Sequence, residues 1–138
     1  MEIRPVTDDL AVAPQIQPED AQALAERGFL AVICNRPDGE EPGQPDVASI
    51  RAGVEAAGLH FHHLPVSGGA FPQAAIDAFR EVRRGTPGKV LAYCRTGTRS
   101  ITLETLANPR GLSVEERLEN ARAAGYDLSG LTDRLNAQ

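Results

Sequence analysis

Val90-Leu91-Ala92-Tyr93-Cys94-Arg95-Thr96-Gly97-Thr98-Arg99-Ser100 is the stretch from which the rest of the chain can be read. It opens as a short apolar run, as in a strand covered on both faces. A glycine-containing turn follows, and a helix runs from about Arg99 to Ala107. A strand that delivers a cysteine into a tight turn at a helix start gathers main-chain N–H groups and the positive end of a helix in one place, and such a place binds anions. The same field stabilises a thiolate, which makes Cys94 a nucleophile at neutral pH. Arg99 adds a forked donor suited to a tetrahedral oxyanion. Ser100 can bring a hydroxyl near the sulfur, and Gly97 lets the loop turn or an oxyanion approach the backbone. Arg95, Thr96, Gly97, Thr98 and Arg99 are thus the expected oxyanion-binding set. This chemistry needs the thiol open to solvent and the amides of 95 to 99 turned toward it. The plainer alternative is a buried strand-end cysteine before an ordinary helix start, because free Cys is often buried and inert. A nucleotide phosphate loop does not fit, since no Gly-Lys-Ser/Thr closes the turn.

Working outward, strand and helix signals alternate. Leu10-Ala11-Val12-Ala13 reads as a strand, and Pro18, Glu19 and Asp20 open a helix that stops at Gly28. Phe29 to Cys34 is a second continuous apolar run, and the Pro- and Gly-rich stretch from Asn35 to Pro45 is a loop. Asp46 caps a helix ending at Gly58, Leu59 to Val66 reads as a strand, and Pro72 opens a helix with Ile76, Phe79 and Val82 inward. Arg80, Arg83, Arg84 and Lys89 read as a solvated face. Ser113 and Glu116 form a capping box for a helix ending near Gly125, and Ser129 to Asn136 is a last helical piece. Strands separated by helices imply parallel pairing, so the expectation is one α/β domain over residues 1–138 with a mostly parallel central sheet flanked by helices. Such sheets bind ligands at the carboxyl ends of their strands, which here collects the loops after Cys34, Val66 and Cys94.

The 138 residues carry 14 Lys and Arg against 19 Asp and Glu, a net charge of −5, which argues against a general nucleic-acid binder. No apolar run approaches the roughly 18 residues of a membrane helix, so no membrane partner is expected. Met1 to Asp9 lacks the basic and apolar regions of a signal peptide, and 2 cysteines are too few for a disulfide framework, so a cytoplasmic location is expected.

Gln15 to Asp20, Gly28-Phe29, Val32 to Glu40, His63-Leu64-Pro65-Val66 and Ala92 to Ser100 together resemble the bacterial phosphatase-like domain of beta-lactamase-hydrolase-like proteins. That family is related to dual-specificity and tyrosine phosphatases and has also been labelled sulfur transferase. The resemblance covers about residues 3 to 125. It implies a cysteine-phosphatase fold, with Cys94 attacking phosphorus and Arg99 gripping the phosphoryl oxygens, and with no cofactor. Two departures bear on the chemistry. Tyrosine phosphatases carry His before the nucleophile and five residues between Cys and Arg, whereas here Tyr93 precedes and four intervene. The shorter loop is also that of single-domain rhodaneses, whose Cys carries a persulfide. Related phosphatases place an acid Asp just after the Pro-Val of the preceding strand, but here Ser67-Gly68-Gly69-Ala70 has no carboxyl. A missing general acid costs about 10²–10⁴ in rate. Asp38, on another loop at the same sheet edge, can take that place or simply form the turn before Gly39; Asp77, in a helix, is less suited.

The implied fold sets the strand ending at Cys34 beside the strand ending at Cys94. A reversible Cys34–Cys94 disulfide would shield the nucleophile from irreversible oxidation; otherwise Cys34 is a small buried hydrophobe. His60, His62 and His63 lack a fourth ligand nearby, so no metal is expected. Arg36 either flanks the anion site or solvates its loop. Three functions are open: a phosphatase acting on a phosphate ester through phosphocysteine, a rhodanese-like sulfurtransferase taking sulfur from a sulfane-sulfur donor onto Cys94, and a non-catalytic oxyanion-binding module. The phosphatase is the first choice.

Overall fold

Each buried apolar run becomes a strand, and each amphipathic stretch a helix laid against the sheet. In the computed structural model, which describes all 138 residues, the strands are β1 (Arg4–Thr7), β2 (Leu10–Ala13), β3 (Phe29–Cys34), β4 (His60–His63) and β5 (Lys89–Tyr93). The helices are α1 (Ala21–Glu26, entered through a 3₁₀ turn at Pro18–Asp20), α2 (Val47–Ala56), α3 (Gln73–Gly85), α4 (Thr98–Ala107), α5 (Val114–Ala123) and α6 (Thr132–Asn136). The sheet order is β1-β2-β5-β3-β4, so the strand leading to Cys94 lies at its centre. β2, β5, β3 and β4 run parallel, and only β1 is antiparallel. The parallel α/β expectation holds.

Alternation along the strands sends successive side chains to opposite faces. Leu10, Val12, Ala31, Ile33, Val90 and Ala92 meet Ile76 and Phe79 of α3 and Ile101, Leu103 and Leu106 of α4. Ala11, Ala13, Val32, Cys34, Leu91 and Tyr93 meet Leu24 of α1 and Ile50 and Val54 of α2. Asp46 accepts a bond from the Ser49 N–H and Ser113 from the Glu116 N–H, so both capped starts lie where the sequence puts them. A Cβ on Gly53 of α2 would sit 2.6 Å from the Pro18 carbonyl oxygen, so this glycine lets α2 close on the 3₁₀ turn.

Three readings need correction. β1 has no clear sequence signal, because it is a half-exposed edge strand interrupted by Pro5. The strand read over Leu59–Val66 is regular only over His60–His63, since Pro65 cannot donate to a ladder. Arg83 is not solvated: it is 3% exposed and donates to both carboxyl oxygens of Glu104, at 2.7 and 3.2 Å, and to Asp9 at 3.0 Å.

Candidate active site

The central strand β5 ends at Tyr93, and Cys94 starts the turn into α4. The Cys94 N–H bonds the Ala13 carbonyl at 3.4 Å and Gln15 N–H bonds the Arg95 carbonyl at 3.2 Å, which ties the start of the loop to the end of β2. Gly97, the residue before α4, has φ 92°, a left-handed conformation open to glycine at little cost. From there its N–H donates to the Cys94 sulfur at 3.1 Å. The N–H groups of Arg95, Thr96, Thr98, Arg99 and Ser100 donate to no acceptor in the protein. A left-handed residue leading into right-handed helix, with a row of unpartnered amides, is the main-chain arrangement that binds anions.

Arg99 comes from the first turn of α4. Its Nη1 donates to Glu40 Oε2 at 2.7 Å and to the Val66 carbonyl at 2.9 Å, and its Nη2 to Glu40 Oε1 at 2.8 Å. Glu40 therefore takes the outer edge of the fork, and Nε bonds nothing else in the protein. Arg36, 1% exposed, donates to Glu40 at 2.8 Å, to Glu41 at 2.9 Å and to Gln15 at 3.0 Å. So Arg36 belongs to the site and does not solvate a loop. The hydrogen bond from Arg99, helped by Arg36 and opposed by burial, holds the Glu40 carboxyl down to about 2. Arg36, Glu40, Glu41, Gly68, Arg95 and Arg99 line a cavity of about 490 Å³ without one apolar side chain. Arg95 reaches toward Glu41 at 3.6 Å, and the Thr96 and Thr98 hydroxyls lie 3.1 Å apart.

Three sequence expectations are placed differently. Cys94 is 1% exposed, so its thiol is not open to solvent; the sulfur is drawn into its own loop by the Gly97 N–H. The Ser100 hydroxyl, fully buried, donates to Asn35 Oδ1 at 2.8 Å and not to the sulfur. Asp38 Oδ1 accepts from the Val47 N–H at 2.8 Å, which commits it to the start of α2, and it does not line the cavity. Cys34 and Cys94 are both free thiols, and Cys34 takes the place of a small buried hydrophobe, one of the two readings given for it. The Cys34 S–H donates to the Arg36 carbonyl at 3.3 Å, and its side chain packs in the α1–α2 layer with Tyr93. Burial pushes the Cys34 thiol above its usual range and pushes the Tyr93 phenol up as well.

His63 Nε2 lies 3.0 Å from the Arg36 carbonyl, while His60 and His62 line a different cleft with Glu81 and Thr86. Glu41, Gln15, Asn35 and Tyr126 have no assigned role in the sequence reading, and Glu40 enters it only as part of a resemblance. Their one signal is proximity to loops at the carboxyl edge of the sheet.

A mostly parallel sheet whose central strand leads through a glycine turn into a helix N-terminus is the fold of the tyrosine- and dual-specificity-phosphatase-like class. Tk-PTP, 23% identical, has the same fold over 98% of this chain and 93% of its own, with a TM-score of 0.72. Residues 2–111 match the family described as beta-lactamase hydrolase-like protein, phosphatase-like domain, and the chain belongs to that family. The Beta-lactamase hydrolase-like protein of Agrobacterium fabrum is 34% identical over 139 residues, covering 96% of this chain and 31% of that protein. The chain thus spans about a third of the length of the curated relatives it matches. A crystal structure of a candidate phosphatase from Neisseria meningitidis is 39% identical, covers 100% of this chain and 99% of its own, and superposes with a TM-score of 0.86. No helix is long and apolar enough to cross a membrane.

Proposed function

We propose that this domain is a cysteine-dependent phosphatase that acts on small, polar phosphate esters through Cys94. The observation that carries the reading is the Gly97 N–H on the Cys94 sulfur within a loop whose other amides have no protein partner. The Cys94 thiolate attacks phosphorus, the S–P bond forms as the P–O ester bond breaks, and the alcohol leaves with a proton from water. Water then attacks the phosphocysteine, and the S–P bond breaks to release inorganic phosphate and the thiolate. The free amides of Arg95, Thr96, Thr98 and Arg99 and the Nε edge of Arg99 hold the phosphoryl oxygens, and Glu40 fixes the guanidinium from the outer edge. The nucleophile is buried, so turnover includes an opening of the walls around it. The all-polar lining favours a hydrophilic leaving group.

Sulfur transfer is the second reading, and two features favour it. The Cys–Arg spacing is one residue short of the tyrosine-phosphatase pattern, which suits a single sulfane sulfur. Arg99 and Arg36 also hold Glu40 at the mouth ionised, and sulfite leaving thiosulfate needs no proton. In that reaction the Cys94 thiolate takes the outer sulfur as the S–S bond breaks with both electrons on sulfite, and the persulfide passes its sulfur to an acceptor thiol or cyanide.

One paired assay decides. Wild type and Cys94→Ser are tested with p-nitrophenyl phosphate and with thiosulfate plus cyanide. Cys94-dependent phosphate release is the expected result. Cys94-dependent thiocyanate without phosphate release selects sulfur transfer. Phosphate release that survives in Cys94→Ser excludes the covalent mechanism. Retained phosphate binding with neither product selects an oxyanion-binding module.

A further inference from the structure

Tyr126 lies beyond residues 2–111, on the segment that leaves α5, and nothing in the reaction above uses it. Its hydroxyl donates to the Thr96 carbonyl at 2.8 Å. The N–H on the far side of that same peptide is Gly97's, which donates to the Cys94 sulfur at 3.1 Å. A trans peptide points its C=O and N–H in opposite directions, so the position of one fixes the direction of the other. The phenol is itself held. The Tyr126 N–H bonds the Ala121 carbonyl at 2.9 Å, and the Arg4 guanidinium lies 5.2 Å from the ring centroid. A Cβ on Gly97 would run into the Tyr126 hydroxyl, so the glycine that shapes the loop and the tyrosine that grips it occupy one tight contact.

We infer that Tyr126 is a positioning residue for the nucleophile: through the Thr96 carbonyl it sets the Thr96–Gly97 peptide plane so that the Gly97 N–H faces the Cys94 sulfur. A hydrogen bond on an amide oxygen also strengthens the N–H of that amide as a donor. The hydroxyl thus supports the thiolate without touching it. Without it the peptide can rotate, the sulfur loses its main-chain N–H partner, and the thiolate loses that support. The inference rests on the reading of Cys94 as a nucleophile, and thiol reactivity tests the two separately.

The other ionisable groups are Arg99 on α4 and Cys34 at the end of the adjacent β3, which interact with the sulfur, and Glu40 and Arg36 behind Arg99. Tyr126→Phe leaves them all in place and keeps the ring beneath Arg4. Tyr126→Leu removes the ring as well. Full-length wild type and both variants are alkylated with iodoacetamide from pH 5 to 10. Peptide mass spectrometry separates Cys94 from Cys34, and thermal melts report the fold. The midpoint of the Cys94 profile is expected to move upward in both variants, with alkylation near pH 7 about fivefold slower. A Phe profile that superposes on wild type overturns the inference, as does a shift confined to Leu, which marks a packing role only. A wild-type Cys94 that reacts no faster than a free thiol overturns the nucleophile reading beneath it.

Discussion

Asp38 and Glu40 share a loop and a charge, yet one bonds an amide at the start of α2 and the other grips the Arg99 guanidinium. Their substitutions should therefore separate. Asp38→Ala removes a helix-start acceptor and should cost about 0.5–2 kcal/mol of stability in thermal denaturation, with kcat within about twofold of wild type. A kcat loss of about 10²–10⁴ would return Asp38 to the role of proton donor. Glu40→Gln loses the bidentate ion pair on Arg99 and should lower kcat about tenfold. The acid limb of the pH–rate profile should not move with it. A carboxyl held down to about 2 is already ionised well below the assay range, so it has no proton to give near neutrality. Because Asp38 sits before a glycine and nearer the strand end, local spacing singles it out first. Only the folded loop shows that Glu40 is the carboxylate turned toward the cavity.

At the scale of elements, a buried ionic cluster joins the β1–β2 turn, α3 and α4. Asp9 takes Arg83 at 3.0 Å and Arg110 at 2.9 Å, while Arg83 holds Glu104. Burial works against an ionised Asp9, but bonds from Arg83, Arg110 and Thr7 outweigh it and bring its carboxyl down to about 2. That folded value lies below the ordinary 3.8 of the unfolded chain. The Asp9 contribution is therefore full above pH 3.8 and is lost as pH falls toward 2, so acid melts of Asp9→Asn and wild type should converge at the low end. Arg83→Met leaves Glu104 buried without its cation and should destabilise the domain by about 3–5 kcal/mol. Adding Glu104→Leu should restore much of the melting temperature, because an apolar pair replaces an unpaired charge.

The elements were more legible than the cluster. β3 and β5 are continuous apolar runs, and Asp46 and Ser113 are strong caps, so local chemistry places them. The helical spacing of Arg80, Arg83 and Arg84 marks a polar face, and nothing local says that Glu104 folds over one member of it. Cys94, Gly97 and Arg99 were legible because one stretch of six residues carries them all. Glu40, Arg36 and Tyr126 reach the same site from loops far away in the chain, and a sequence of bonds between loops leaves no periodicity.

For the molecule as a whole, the last quarter of the chain is part of both core and site. Ala121, Leu128 and Leu135 pack under the sheet with α4, and Tyr126 holds the loop after β5. A chain ended at Gly111 should show no cooperative melt and no rapid alkylation of Cys94, as read by circular dichroism and mass spectrometry. A cooperative melt from that fragment would mean that α5 and α6 are dispensable.

The middle strand of the sheet is also the last to be made. Leu10 to Ala13 wait for Val90 to Tyr93, and Phe29 to Cys34 wait for the same residues. A nascent chain on the ribosome therefore holds two greasy segments apart until β5 is made, an interval in which chaperone capture competes with collapse. The sulfur arrives together with the piece that joins the two halves. A polypeptide without β5 thus has neither the joined sheet nor the loop that sets Gly97 on the Cys94 sulfur.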